Sequence, residues 1–183
     1  AVLGPGGVGG LLAALLAGDG HEVVCLAGSV TAAALRTDGV RLASARFGPR
    51  VERVDAKERL DRPVDVCFVT VKATQLTDAL QRVPADLLGG ALLVPLLNGV
   101  EHLTVLRRRY PSATVVAATI RVESTRTGPG QVRQDSPFAS VELCQAPGID
   151  ELADALKETG LDVRVRANEA AVLWDKLAFL APL

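Results

Sequence analysis

Three glycines near the start of the chain, Gly4, Gly6 and Gly9, have the spacing G-x-G-x-x-G. Between a strand and a helix, this spacing is typical of a turn that binds the pyrophosphate of a dinucleotide. Gly4 would permit the tight turn, Gly6 would let the backbone approach the phosphates, and Gly9 would let the helix pack closely. The cofactor-binding residues predicted from this stretch are Gly4, Pro5, Gly6, Gly7, Val8 and Gly9. A glycine-rich loop with a purely structural role is the alternative.

A lysine and an asparagine each follow an apolar run that is typical of a buried strand. Lys72 comes directly after residues 64–71, and Asn98 comes directly after residues 91–97. Because ligands bind beyond the carboxyl ends of parallel strands, we expect both side chains beside the glycine turn. An ammonium and an amide there would serve a carbonyl substrate and a nicotinamide ribose. The alternatives are a lysine that extends from the surface into solvent and a simple Asn-Gly turn.

The end of the second predicted strand should distinguish between the two nicotinamide cofactors. An acidic residue there binds the ribose 2′-hydroxyl of NADH, whereas an arginine accommodates the 2′-phosphate of NADPH. Residues 21–27 are followed by Gly28 and Ser29, which carry neither charge. Arg36, further along the next helix, is a weak substitute. The residues at this position therefore leave the choice of cofactor open.

Strand-like and helix-like segments alternate along the chain, which predicts an α/β fold with a mostly parallel sheet. With the glycine turn, this pattern is typical of a Rossmann-type, doubly wound domain with a few added strands. Strands are predicted over residues 1–3, 21–27, 40–44, 50–54, 64–71, 91–97, 113–120, 121–125, 131–135, 140–144 and 161–165. Helices are predicted over residues 8–18, 29–37, 74–83, 149–160 and 168–183, with Ser29 and Thr74 as caps of the second and third.

Composition excludes several classes of function. The net charge is −1, so we expect no general attraction to nucleic acid or to anionic membranes. The run 107–109 of three arginines is interpreted as the solvated end of a helix rather than a binding patch. Two histidines without ligand-like neighbours predict no metal site, and no apolar run is long enough to span a membrane. Three cysteines far apart indicate free buried thiols in a reducing compartment, so a cytoplasmic location is expected.

The last predicted helix presents an apolar surface that no later part of the sequence could cover. Its members are Leu173, Trp174, Leu177, Phe179 and Leu180. The chain also contains no methionine and begins inside a predicted strand. Either the chain is a piece of a longer protein or this surface packs against a partner, and of these we expect a piece of a longer protein. Residues 1–167 would form the dinucleotide-binding domain, and residues 168–183 would be the first helix of a truncated helical domain.

Six short segments together resemble the ketopantoate reductase (2-dehydropantoate 2-reductase) family. They are GPGGVGG, GHEV, VKATQ, LNGVE, TGPGQV and LWDKLAF, in this order along the chain. The resemblance implies an enzyme that reduces a 2-oxo acid to a 2-hydroxy acid with NADP(H). It implies that Lys72 and Asn98 contact cofactor and substrate, and that Lys176 is the catalytic general acid. A homodimer formed through the helical domain is also implied.

Two positions differ from the pattern of that family. Gly28 stands where the family has an arginine, and Leu180 stands where it has a substrate-binding asparagine. The expected function is NADPH-dependent reduction of 2-dehydropantoate in pantothenate biosynthesis, or of a related and more apolar 2-oxo acid. The alternative is a dinucleotide-binding domain without catalysis that acts as a sensor or assembly module. We expect the 183 residues alone to be inactive.

Overall fold

The computed structural model describes residues 1–180 and the side chains of residues 1–174. The strands in this part of the chain are β1 (Val2–Leu3), β2 (Val24–Leu26), β3 (Val40–Ser44), β4 (Arg50–Glu52), β5 (Asp55–Lys57), β6 (Val66–Val69), β7 (Leu92–Pro95), β8 (Thr114–Val115), β9 (Ala118–Arg121), β10 (Ser124–Gly128), β11 (Gln131–Gln134), β12 (Ser140–Cys144) and β13 (Asp162–Arg166). The helices are α1 (Gly7–Gly18), α2 (Ser29–Asp38), α3 (Leu76–Ala79), α4 (Glu101–Arg109), α5 (Ile149–Glu158) and α6 (Glu169–Leu180).

The central sheet is parallel and has the strand order β5-β2-β1-β6-β7-β8. The order reverses between β1 and β6, because the chain first adds strands on one side of β1 and then on the other. One apolar cluster, which includes α1 and α2, covers one face, and a second cluster covers the other face. The predicted α/β fold with a doubly wound, mostly parallel sheet is confirmed.

Helix α1 lies between the central sheet and a second sheet. Its residues from Gly9 to Leu16 are all buried, as expected for a helix that is apolar on every side. The second sheet has the order β10-β11-β3-β4, and a third sheet has the order β13-β12-β9. The predicted hairpin-like pair at residues 40–44 and 50–54 is confirmed, because β3 and β4 are antiparallel. The predicted turn around Pro129 is also confirmed, because it joins the antiparallel strands β10 and β11. The parallel pairing of β3 with β11, which joins them into one sheet, was not predicted.

The single strand predicted over residues 113–120 is wrong. Residues Thr114–Val115 pair with β7 in the central sheet, whereas Ala118–Arg121 pair with β12 in the third sheet. The chain changes sheets at Val116 and Ala117, which bond to Leu93 and Cys144 respectively. Val115, Val116, Ala117 and Ala118 form one uninterrupted apolar run across this point, so hydrophobicity alone does not reveal where the strand changes partner.

The helix predicted over residues 74–83 is also wrong in form. It is a 3₁₀ turn at Ala73–Gln75, one α-helical turn (α3) and a second 3₁₀ turn at Leu80–Arg82. Neither predicted cap forms, because Ser29 and Thr74 lie inside their segments and no side chain caps either one. Leu76, Leu80 and Val83 are buried in the second cluster, so contacts with the sheet determine the path of this segment.

Helix α6 begins after Asn168, whose side-chain oxygen accepts a hydrogen bond from the N–H of Ala171. Leu173 is buried against Leu103 and Ala117, so this residue is covered, contrary to the prediction of a fully open apolar face. Trp174 is 62% exposed. The side chains of Leu177, Phe179 and Leu180 lie outside the described residues. The boundary between residues 167 and 168 stays a prediction.

Candidate functional site

The strand order brings the predicted site residues to one edge of the central sheet. Leu3 of β1 is in register with Val69 of β6, and Val69 is in register with Pro95 of β7. Lys72 follows Val69 by three residues, and Asn98 follows Pro95 by three. Both side chains are exposed. Both residues therefore follow their strands at matching height, on the edge of the sheet that carries the turn after β1. Lys72 follows the strand next to β1, and Asn98 follows the strand after that, with about 4.8 Å between neighbouring strands.

The glycine turn between β1 and α1 has the geometry that its spacing predicts. Gly4 has φ +86°, and a Cβ there would lie 2.4 Å from the Val71 side chain. The N–H of Gly6 donates to the carbonyl of Gly4 at 2.7 Å, which closes the tight turn. Among the described residues, a Cβ at Gly6 would have one heavy atom within 4 Å, the Gly4 oxygen at 3.9 Å. The backbone at Gly6 is therefore open to a ligand.

Gly9 fixes the helix against the sheet, with help from Thr70 at the end of β6. A Cβ at Gly9 would lie 2.3 Å from the Thr70 hydroxyl and 2.5 Å from the Gly4 carbonyl oxygen. The same hydroxyl lies 2.8 Å from the Gly4 oxygen and 3.0 Å from the Leu3 oxygen, and its single proton is shared between these two acceptors. Sequence reasoning missed Thr70, although its place two residues before Lys72 at the end of a buried strand was a signal.

Gly7 packs against the second sheet rather than the first. A Cβ at Gly7 would lie 2.1 Å from the backbone oxygen of Ser124, at the start of β10. The Ser124 hydroxyl donates to the Gly7 carbonyl at 2.8 Å. The first turn of α1 is thus held from both sides, by Thr70 and by Ser124. No spacing in the sequence pointed to Ser124.

The start of α1 is suited to an anion. Its N-cap is Gly6, no side chain caps it, and no acidic residue lies in its first turn. The first N–H groups of a helix lack intrahelical partners and carry the positive end of the helix dipole. The amides of Gly7, Val8 and Gly9 therefore face the open side of the turn as donors for a phosphate.

The end of β2 lies directly beside the glycine turn, since the N–H of Gly4 donates to the Leu26 oxygen at 3.0 Å. Gly28 follows there as the N-cap of α2. Arg36 lies in the last turn of α2 and donates to the Ala56 oxygen, so it is at the other end of that helix. The arginine beside Gly28 is Arg82, which sequence reasoning missed because it lies more than fifty residues further along the chain.

Residues 1–147 match the model of the family described as ketopantoate reductase PanE/ApbA. The chain belongs to this family. A 2-dehydropantoate 2-reductase of Halobacterium salinarum is 28% identical over 96% of the chain, and one of Caulobacter vibrioides is 31% identical over 97%. The chain spans about 60% of the length of each of these curated relatives.

One solved structure agrees with this family assignment, and a second shares the fold. A PanE/ApbA family ketopantoate reductase from Ralstonia eutropha is 28% identical and superposes with a TM-score of 0.86, over 96% of this chain and 59% of its own. D-mandelate dehydrogenase, solved with NADH and anilino(oxo)acetate, is 23% identical and superposes with a TM-score of 0.85, over 96% of this chain and 59% of its own. The second similarity shows the fold alone.

Two residues compared with the ketopantoate reductase pattern are in α6, one that matches the pattern and one that departs from it. Lys176 and Leu180 both belong to this helix, but their side chains lie outside the described residues. The start of α6 is fixed by an ion pair in which the two terminal nitrogens of Arg107, Nη1 and Nη2, donate to the Glu169 carboxylate. This pair raises the pKa of Arg107. Arg107 thus has a structural contact with α6, in agreement with its interpretation as part of a helix end.

The thiols of this ketopantoate reductase family member are not arranged for catalysis. Cys25 and Cys67 are fully buried, and Cys144 is half-buried. Burial raises the pKa of Cys25 to about 12 and that of Cys67 to about 11, so both remain protonated thiols at neutral pH. Among the described residues, no cluster of His, Cys, Asp or Glu could hold a metal ion. None of the described helices is both long and apolar enough to cross a membrane.

Two concavities lie away from the glycine turn. One, of about 730 Å³, is at the amino-terminal ends of β1, β2 and β6, opposite to the edge that carries Lys72 and Asn98. The other, of about 580 Å³, lies on the outer face of the second sheet. The free helix amides and the side chains at the strand ends favour the carboxyl edge as the candidate site.

Proposed function

We propose that this chain is the dinucleotide-binding part of an oxidoreductase that reduces a 2-oxo acid to a 2-hydroxy acid with NADPH. The observation that carries the proposal is the open glycine turn where the strand order reverses, with Lys72 and Asn98 at matching height beside it. The relatives named 2-dehydropantoate 2-reductase support 2-dehydropantoate, and hence a step of pantothenate biosynthesis, as the proposed substrate.

The residues at the carboxyl edge fit a dinucleotide. The amides of Gly7, Val8 and Gly9 would bind the pyrophosphate, because Gly6 has no side chain that could stand in front of them. When bound, the nicotinamide ring supplies a hydride to the substrate carbonyl carbon. The Lys72 ammonium would bind cofactor and substrate oxygens, and the Asn98 amide would orient the nicotinamide ribose and the substrate. Both side chains are exposed at this edge and free to reach a ligand.

Lys176 is the proposed general acid. Reduction of a carbonyl leaves negative charge on its oxygen, which an ammonium group stabilises and then neutralises by donating a proton. Its assignment is supported by the segment LWDKLAF and by α6, which starts on the third sheet through Leu173. General acid catalysis of this kind contributes roughly a hundredfold to ten-thousandfold in rate.

The test is an assay of NADPH oxidation with 2-oxo acids in the complete protein. Lys176→Ala should lower kcat by roughly a hundredfold or more while NADPH binding remains. The matched control is Lys157→Ala, because Lys157 is an exposed lysine that pairs with Asp154 on α5, away from the edge. An unchanged kcat in the Lys176 variant would remove this residue from the proposed mechanism.

The assay also separates this function from the alternatives. Cofactor binding without reduction of any 2-oxo acid would indicate a sensor or assembly module instead. The cofactor must be tested in both forms, since the related fold of D-mandelate dehydrogenase was solved with NADH. Activity with larger apolar 2-oxo acids but not with 2-dehydropantoate would mean that the proposed reaction is correct and the proposed substrate is wrong. The apolar Leu180 is the reason for testing such substrates.

The same proposal includes assembly with a second copy through the helical part that begins at residue 168. The indole of Trp174 on α6 is exposed, and under this proposal a second copy would cover it in the complete protein. Analytical ultracentrifugation of the complete protein should give a dimer. Trp174→Glu should shift it to monomer, and a monomeric parent would contradict the assignment.

A further inference from the structure

The guanidinium group of Arg82 lies at the carboxyl end of β2. Its Nη1 donates to the carbonyl oxygen of Ala27 at 3.1 Å and to that of Glu58 at 2.8 Å. These two carbonyls follow β2 and β5, which are neighbours in the central sheet. Arg82 therefore reaches this edge from the segment after β6, and its position is fixed by backbone atoms rather than by another side chain.

Gly28 leaves the other side of this guanidinium open. A Cβ at Gly28 would have one heavy atom of the described residues within 4 Å, the Arg82 Nη2, at 3.9 Å. Gly28 has φ −68° and ψ 160°, an ordinary extended conformation that any residue can adopt. The glycine is therefore not required by the backbone at this position. Its effect is to leave space beside Arg82.

The charge of Arg82 is not neutralised by any described side chain, since none of the ion pairs in this part of the structure includes it. Lys57, which ends the neighbouring strand β5, is not available in the same way, because it pairs with both Asp55 and Asp61. An arginine with one face bound to carbonyls and one face open retains its capacity to bind an anion.

The ligand follows from the geometry of the glycine turn and rests on the proposed function. A dinucleotide with its pyrophosphate at the start of α1 places its adenosine ribose at the end of β2. Leu26 of β2 bonds to Gly4, so this end lies directly next to the turn. The 2′ position of that ribose then lies beside Gly28 and Arg82.

We propose that Arg82 binds the 2′-phosphate of NADPH in the space that Gly28 leaves open. The cation that selects NADPH over NADH comes in this chain from the segment after β6 rather than from the end of β2. Its bonds to Ala27 and Glu58 hold the guanidinium in place, so little side-chain freedom is lost on binding.

The test compares the dissociation constants of NADPH and NADH, measured by titration calorimetry with the purified protein. The parent should bind NADPH at least tenfold more tightly than NADH. Arg82→Gln should weaken NADPH roughly tenfold to a hundredfold, as expected for loss of a charge-assisted hydrogen bond, and change NADH less than about threefold. The matched control is Arg59→Gln, because Arg59 is exposed and donates to Gln81 but has no contact with Gly28.

A second variant addresses the structural contacts of Arg82. Gly28→Arg, introduced into the Arg82→Gln protein, should restore most of the NADPH preference, since a guanidinium would again face the 2′ position. Equal weakening of both cofactors in Arg82→Gln, without rescue, would show that Arg82 only supports the fold and would overturn the proposal. A parent that binds both cofactors equally would also overturn it but retain the proposed function. A parent that binds neither would contradict the proposed function itself.

Discussion

Two glycines of the turn have different physical tasks, although both belong to the same spacing. At Gly9 a methyl group would collide with the Thr70 hydroxyl and the Gly4 backbone oxygen. At Gly6 a methyl group would point into open space, where the phosphates are expected. Gly9 is therefore required by the packing of α1 on the sheet, whereas for Gly6 we propose that the ligand requires the glycine.

Alanine substitutions should separate these tasks. Gly9→Ala should lower the free energy of unfolding by about 2 kcal/mol or more, because the helix must move away from the sheet. Gly6→Ala should cost at most about 1 kcal/mol as an N-cap change but should abolish measurable dinucleotide binding. Urea denaturation and cofactor titration measure the two effects.

Gly89→Ala is the matched control for these substitutions, because a Cβ there would have one heavy atom of the described residues within 4 Å, the Asp86 oxygen at 4.0 Å. It should change neither stability nor binding. If Gly6→Ala bound the cofactor as well as the parent does, the pyrophosphate would not lie on this turn.

The third sheet contains a buried carboxylate that links three strands. Glu142 on β12 lies 3.2 Å from Arg121 on β9 and 3.6 Å from Arg166 on β13. Only about 7% of the Glu142 side chain is exposed, whereas both arginines are partly exposed. These ion pairs join β12 to the strands on either side of it, β9 and β13. Helix α6 packs on this third sheet.

Removal of this carboxylate should destabilise the protein considerably. Glu142→Ala removes a buried carboxylate that bridges Arg121 and Arg166, and we expect a loss of about 3 kcal/mol in urea denaturation. Glu151→Ala on the exposed side of α5 is the control and should change stability by less than about 0.5 kcal/mol. Equal, small losses in both variants would mean that the two ion pairs contribute nothing net.

Elements whose pattern is local could be predicted from the sequence, and elements determined by distant contacts could not. The strand, glycine turn and helix at residues 2–18 follow from a run of apolar residues with a characteristic spacing. The change of sheet at Val116 and the broken helix before Val83 depend on which distant strands are available for pairing. For the same reason Thr70, Ser124 and Arg82 were missed, since each acts on a segment far away in the sequence.

At the scale of the whole molecule, the candidate site depends on two sheets at once. Thr70 in the central sheet and Ser124 in the second sheet hold the two sides of the turn before α1. Helix α1 is buried between these sheets along most of its length. A ligand that binds the first turn of α1 therefore gains its affinity from the native arrangement of both sheets, and the unfolded chain offers no equivalent site.

Cofactor binding should therefore stabilise the whole molecule. A ligand at a hundred times its dissociation constant adds about 2.7 kcal/mol to the free energy of unfolding, which for a protein of this size raises the Tm by roughly 5–10 °C. NADPH should produce this shift in differential scanning calorimetry, and NADH at the same concentration should produce a smaller one. Gly6→Ala should remove both shifts, whereas Arg82→Gln should reduce only the NADPH shift to the NADH value. A Tm that neither cofactor changes would exclude dinucleotide binding at the turn, because binding to the native state alone must stabilise it.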